Sequence, residues 1–262
     1  MNFTILYLYY DLLNLYGESG NLKILKNHLT KQGLNVKILY LTIKDDLDFT
    51  KYDLVIMSCG TDNNQLVILN HLLKYKRDII KAIENNKFFL ITGNALNLFG
   101  KYILTKNQEK IKCLDIFDFV AVQFNERTVN DALFFDKETN DYIIGFQNQN
   151  TKLIKEEKYS LFDVIIGDGI FVNTKVEGVH FNNFYGTYLI GPILARNPKF
   201  AENFIRKLIL NKNPDFRFKD FDFKFEIEAY EEYFNLHYNK IPKFKNRKSI
   251  KIWYFFQTFN FL

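Results

Sequence analysis

The chain predicts an α/β fold: a mainly parallel, doubly wound sheet with an antiparallel portion in its second half. Three observations carry this expectation. Residues 3–9, 36–41, 54–57 and 88–91 are short apolar, β-rich runs of the kind that form buried strands. Helical stripes lie among them, with Leu22, Ile24, Leu25 and Leu29 in the first and Leu66, Leu69, Leu72, Leu73, Ile79, Ile80 and Ile83 in the second. Beyond Gly100 the apolar residues alternate or run short between polar breaks, which suggests antiparallel strands.

Taken in order, the strand at 3–9 leads into a loop at 11–20 that holds two glycines. A helix over 21–32 ends at Gly33, a residue suited to the C′ position. After the strand at 36–41 comes a polar connection, 45–53. The third strand, 54–57, ends in Ser58-Cys59-Gly60-Thr61-Asp62. A helix is expected over 65–85, and a fourth strand begins at Phe88. That strand breaks at Thr92-Gly93-Asn94 and resumes with Leu96, Leu98 and Phe99 as a helix start, which Gly100 stops. A strand, a sharp turn and a helix place the turn at the carboxyl edge of the sheet, where ligands and catalytic groups collect. A nucleophile on such a turn would be aimed out of the sheet, and none is there. In the second half, 117–122, 128–135, 142–146, 164–170 and 176–189 read as antiparallel strands. Helices follow at 198–210 and 226–238, and the aromatic, charged stretch 216–225 fits neither state.

A length of 262 residues suits one large α/β domain, or one domain with a short appendix. The 28 Phe and 16 Tyr, with abundant Ile, Asn and Lys, match AT-rich coding before they signal function. Only Cys59 and Cys113 occur, so a reducing compartment and no disulfide framework are expected. No signal-peptide pattern opens the chain, and no apolar run nears the ~20 residues that span a bilayer. A cytoplasmic location is therefore expected. Residues 240–262 hold six basic side chains and no acidic one, which leaves residues 1–239 at −1 of the net +5. A nearly neutral body argues against a nucleic-acid-binding face. The basic-aromatic extension 240–262 could lie on an anionic membrane surface or dock on a partner. A packed terminal strand is the plainer alternative.

Four stretches together carry a family resemblance. They are Asp11-Leu-Leu-Asn-Leu-Tyr-Gly-Glu-Ser-Gly-Asn21, Ser58-Cys-Gly-Thr-Asp62, the run from Gly93 to Gly100, and Gly186-Thr-Tyr-Leu-Ile-Gly-Pro-Ile-Leu194. The chain resembles the cobyric acid synthase-type class I glutamine amidotransferases. Within them it is most similar to the glutaminase subunits of lipid II isoglutaminyl synthases. The family's D-x-x-N-L-Y-x-x-x-G-N segment is matched by Asp11, Asn14, Leu15, Tyr16, Gly20 and Asn21. Its G-G-G-x-D turn is matched by Gly60 and Asp62, with Ser58 and Cys59 in place of two glycines. The resemblance covers roughly residues 1–235. It implies a flavodoxin-like three-layer sandwich over 1–239, with 240–262 outside it. It also implies glutamine as ligand and a Mur ligase-like, ATP-dependent partner subunit in peptidoglycan amidation. No metal or cofactor is implied, and His28, His71, His180 and His237 lack metal-ligand spacing.

The chain departs from the family where the chemistry is done. The elbow C-G-G-Y-Q-x-L-G places its cysteine on Gly93. The histidine of G-T-Y-L-H-G-P falls on Ile190, and a second histidine, in G-F-E-N-H-G-G, falls on Gln149. The substrate-holding arginine survives as Arg127, with Asp131 close behind; Gly60 and Asn94 complete the implied substrate-binding set. In such enzymes a cysteine thiolate attacks the amide carbonyl and a histidine protonates the leaving ammonia, while backbone N–H groups hold the oxyanion. Glycine and isoleucine can do neither job, so a catalytically degenerate subunit is expected, one that binds a partner. Two alternatives remain at this level. One is an active amidotransferase that uses Cys59 as a displaced nucleophile, and the other is a repurposed small-molecule-binding or interaction module. A buried apolar role for Cys59 is the plainer reading, because a reactive thiol needs a base or a positive neighbour.

Overall fold

A computed structural model describes residues 1–154 and 160–242. β1 (Asn2–Leu8) pairs in parallel with β2 (Asn35–Leu41) and with β3 (Leu54–Met57). β3 continues in parallel to β4 (Phe88–Thr92), and β4 to β12 (Phe184–Thr187). β3 and β4 are buried throughout because helices cover both faces of the sheet. β2 lies at the edge and is half exposed. Ignoring the antiparallel edge strand β11 (Val179–Phe181), the order β12-β4-β3-β1-β2 is that of flavodoxin-like sheets. The direction of winding switches between β1 and β3, which opens a crevice at the carboxyl ends of the strands.

Alternation along β1 builds the three layers. Phe3, Ile5 and Tyr7 pack with α1 (Ser19–Lys31) and α5 (Pro198–Lys212) through Leu22, Leu25, Phe204 and Leu208. Leu6 and Leu8 face the other way, onto α2 (Asp62–Leu72) and α3 (Lys76–Glu84) through Ile68, Leu72, Ile79 and Ile83. The first helix stops as its sequence suggests. Gly33 adopts φ +84°, its N–H bonds Thr30 O at 2.8 Å, and Leu34 N–H bonds Leu29 O at 3.2 Å. These are the two bonds of a Schellman cap.

The second half holds the mostly antiparallel sheet, with β5 (Tyr102–Leu104), β6 (Lys110–Lys112), β7 (Val120–Asp136), β8 (Asp141–Ile154), β9 (Phe162–Ile166) and β10 (Val176–Glu177). The strands expected at 117–122 and 128–135 are one 17-residue strand, β7. Its pairing with β8 slips between Gln123 and Thr128, so that four residues, 124–127, bulge opposite Asn150. The two sheets meet where Ile190 N–H bonds Phe146 O at 3.0 Å.

Several expectations need correction. The helix over 65–85 is two helices separated by a 3-10 turn, Leu73–Tyr75. No Gly or Pro marks that break, which sits where His71 packs against the Tyr9 and Tyr75 rings. The turn after β4 runs on as a 3-10 segment, Gly93–Phe99, and no α-helix follows. The stretch 176–189 divides into β10, β11 and β12, and β12 joins the parallel sheet beside β4, outside the antiparallel one. β9 ends at Ile166. The ambiguous 216–225 stretch is an irregular aromatic strap: Arg206 covers the Phe218 and Phe221 rings, and His28 stacks on Phe223. It leads into α6 (Lys224–His237). The basic-aromatic extension lies outside the described residues from position 243 onward. Among the described residues, no helix is long and apolar enough to cross a membrane.

Candidate functional site

Four segments leave the carboxyl edge of the parallel sheet side by side, after β1, β3, β4 and β12. Together with β8 and the bulge of β7 they enclose a pocket of about 350 Å³. Its lining includes Tyr16, Cys59, Gly60, Asn94, Arg127 and Ile190, and thus brings together most of the positions singled out in the sequence.

The segment after β1 is fixed by its own polar residues. Asn14 Oδ1 accepts from Ser19 N–H at 3.1 Å and from the Tyr7 hydroxyl at 3.0 Å. Asn21 Oδ1 accepts from Leu194 N–H at 2.9 Å. A Cβ on Gly20 would stand 2.7 Å from Pro192 Cγ, so the two most specific stretches of the resemblance pack on each other. Glu18 is buried beneath them. It accepts from Gly191 N–H at 2.6 Å, Thr92 Oγ1 at 2.7 Å and Asn21 Nδ2 at 3.1 Å. Burial pushes its carboxyl up to about 7, against the opposing pull of these donors and of Arg196.

The elbow keeps its backbone. Gly93 follows β4 with φ +61°, a left-handed conformation that costs an ordinary residue and leaves glycine unstrained. A Cβ built there would lie 2.4 Å from Cys59 Cβ and 3.1 Å from Ile190 Cγ2. Gly93, Cys59 and Ile190 are therefore neighbours in space, and Cys59 fills the volume that a side chain at Gly93 would take. The Cys59 thiol is buried and donates to Leu15 O at 3.7 Å. Burial, with a smaller contribution from the Glu18 carboxylate, pushes it up to about 12. It is a neutral thiol at physiological pH. No histidine lines this pocket among the described residues.

Gly60 and Asn94 meet each other. Gly60 N–H donates to Asn94 Oδ1 at 3.1 Å, and Asn94 Nδ2 donates to Gly60 O at 2.8 Å. The Asn94 carboxamide thus occupies the Gly60 backbone N–H. Arg127, carried by the bulge, donates to Asn148 Oδ1 at 2.8 Å, and Asn148 donates to the Tyr16 hydroxyl at 2.8 Å. Tyr16 and Arg127 so close one side of the pocket together. Asp131 faces elsewhere and accepts from the Tyr233 hydroxyl at 2.8 Å.

Two residues at the site escaped the sequence reading of function. Glu18 sits in a polar loop and looks solvated until the fold buries it. Gln149 appeared only as a substituted histidine; it is 8% exposed, and neither Nε2 nor Oε1 has a partner among the described residues. His180 stacks on Tyr185, on the antiparallel edge strand, and does not line the pocket. Among the described residues no cluster of three or more His, Cys, Asp or Glu could hold a metal.

A flavodoxin-ordered sheet with a glycine elbow after its central strand, and a pocket over the carboxyl edge, is the architecture of a class I glutamine amidotransferase. Solved structures agree on the fold. The glutaminase domain of Trypanosoma brucei CTPS with bound acivicin has a TM-score of 0.51 at 9% identity, covering 84% of this chain and 96% of that one. A second glutamine amidotransferase structure has a TM-score of 0.50 at 12% identity, covering 78% and 98%. The chain belongs to the CobB/CobQ-like glutamine amidotransferase domain family, whose pattern matches residues 4–198. Two relatives are each described as the GatD subunit of lipid II isoglutaminyl synthase (glutamine-hydrolyzing). The Streptococcus pneumoniae protein is 29% identical over 80% of this chain and 81% of its own length. The Staphylococcus aureus protein is 28% identical over 86% and 92%.

Proposed function

We propose that this chain is a GatD-like subunit that has lost glutamine hydrolysis and acts as a partner-binding or regulatory component of a peptidoglycan-amidating ligase. One observation carries the reading: Gly93, Cys59 and Ile190 pack tightly at the place where a thiolate and an imidazole would face each other. Loss of either group alone lowers rates by several orders of magnitude, and loss of both leaves no route for proton transfer to the departing ammonia. Cys59 is no substitute, because its thiol is protonated and hydrogen-bonded, and among the described residues no imidazole lines the pocket. The partner by resemblance is an ATP-dependent, Mur ligase-like protein. Residues 1–239 serve as the amidotransferase-like body and 240–262 as an extension. The cysteine usage fits a cytoplasmic place of work.

Purified protein should release no glutamate from glutamine above background, with or without a co-expressed Mur ligase-like protein, while forming a stable complex with that protein. Turnover of about 1 per second or faster would overturn the loss of activity. Failure to co-purify would overturn the partner role.

The Arg127 side of the pocket is intact, so the same reading keeps glutamine or a related amide as a ligand. With the Gly60 N–H already taken by Asn94, the carboxylate end of the ligand carries most of the affinity. Calorimetry should show weak glutamine binding that Arg127→Ala lowers about tenfold or more. Equal affinity in the variant would remove Arg127 from the ligand site.

A further inference from the structure

α6 turns one face to the antiparallel sheet and the other to solvent. On the inward side Phe234 packs with Leu133, Tyr142 and Ile144, and the Tyr230 hydroxyl donates to Tyr142 O at 3.0 Å. Phe225, Ala229, Glu232 and Leu236 follow one another at helical spacing, which sets them on one outward stripe. All four are exposed. Phe225 at 77% and Leu236 at 70% exceed every other large apolar side chain among the described residues. We propose that residues 243–262 of the same chain fold back onto this outward face of α6, with their basic side chains against its carboxylates and their aromatic side chains against Phe225 and Leu236.

Charge supports this occupant. Glu228 and Glu231 flank the stripe and Glu232 lies within it, and among the described residues none of the three has an ion-pair partner. Glu226, on the inward side, faces His28. The segment 243–262 supplies Lys243, Lys245, Arg247, Lys248 and Lys251 and no acidic side chain. Exposed ion pairs of this kind orient a segment more than they hold it. The hold comes from apolar contact, which Phe244 and the aromatic run from Trp253 to Phe261 provide.

The path of the chain supports it as well. Beyond α6 the backbone turns: Ile241 N–H bonds Tyr238 O at 2.9 Å, and Ile241 packs on the cluster that holds Phe234 and Tyr238. Pro242 O then accepts from the Tyr142 hydroxyl at 3.3 Å, and the Tyr142 ring lies 5.4 Å from that of Phe234. Position 242 thus stands beside the last turns of the helix. α6, with 14 residues, is about 21 Å long, and an extended chain of the 20 residues that follow position 242 reaches about 66 Å. The segment is long enough to retrace the helix.

Trp253 is the only tryptophan of the chain, so its fluorescence in the full-length protein reports on this segment alone. Acrylamide, an uncharged quencher, measures its exposure. The expected result is a shielded Trp253 in the wild type. Quenching should be at least about twofold stronger in Phe225→Ser/Leu236→Ser and in Glu228→Lys/Glu231→Lys/Glu232→Lys, because the first removes the apolar contact and the second the charge match. Shielding in the wild type should survive dilution. Phe225→Ser/Leu236→Ser should also bind phosphatidylserine vesicles more tightly than the wild type, since a released basic-aromatic segment is free to partition. Equal quenching in the wild type and both variants overturns the proposal. So does shielding that is lost on dilution, which assigns the segment to a second copy. Vesicle binding that is strong and equal in the wild type and the serine variant overturns it too, and makes a membrane surface the occupant. If the serine substitutions loosen α6, the charge reversal still decides, because it leaves the apolar contact in place.

Discussion

Gly93→Cys, the change that would seem to restore the nucleophile, is expected to destabilise the protein by about 3 kcal/mol or more and to yield no glutaminase. Two effects add. The new Cβ would press to 2.4 Å of Cys59 Cβ, closer than two carbon atoms can approach without a shift. The residue would also have to hold φ near +61°, which costs a non-glycine residue on the order of 1 kcal/mol. Pairing Gly93→Cys with Cys59→Gly removes the 2.4 Å clash and leaves the backbone cost and the 3.1 Å approach to Ile190 Cγ2. Urea unfolding of the two single variants and the double variant should therefore show a favourable coupling of about 2 kcal/mol. Additive single effects would mean that Cys59 does not fill the nucleophile's place. Activity should stay absent even in the stable double variant, because Ile190 moves no proton and Asn94 still holds the Gly60 N–H.

The second large effect is a pH dependence with an unusual sign. Glu177 is fully buried at the base of β10 and accepts from Tyr188 N–H at 2.7 Å and Thr187 Oγ1 at 2.8 Å. Burial raises it from 4.5 to about 7, as it raises Glu18 to about 7. Between the two values the folded state holds protons that the unfolded chain has lost. Stability should thus be fullest below pH 4.5 as far as these groups are concerned, fall as pH rises to about 7, and level off above. The loss is about 3 kcal/mol for each carboxyl, on the scale of about 1.4 kcal/mol per unit. His28, His71 and His180 are lowered by burial and act in the opposite sense at mildly acidic pH. The clean measurement is therefore the difference between wild type and Glu177→Gln from pH 4.5 to 8. The variant should gain on the wild type steadily as pH rises to about 7. A difference that does not change with pH would show that Glu177 ionises freely in the folded state.

How much of this was legible in the residues depends on where the information lies. The parallel sheet was readable because β3 and β4 are apolar on both faces, a pattern that only double coverage explains. Gly33 announced the end of α1, since the cap needs a positive φ. The elbow was placed by counting back from Gly100; that Gly93 and Ile190 stand side by side is visible only in the fold, because they lie on different strands' ends. The break between α2 and α3 was hidden, because three packed aromatic rings set it while the apolar stripe runs on unbroken. The destination of β12 was hidden as well: a short strand carries no mark of which sheet it will join. The Asn94 pairing with Gly60 could not be read from type alone, as an asparagine in a turn is ordinarily explained by the turn. Gln149 became notable only once the fold showed it buried and without partners among the described residues.

The junction of the two sheets at position 190 has a wider consequence. Ile190 is anchored through its own N–H to Phe146 O, and its neighbour Gly191 through its N–H to Glu18. Neither bond consults the identity of the side chain at 190. A lineage could therefore exchange an imidazole for a branched alkyl group there with little penalty in folding, and selection for a sound fold would never register the change. Where main chain alone secures a position at the rim of a pocket, its side chain can drift while the backbone there stays put.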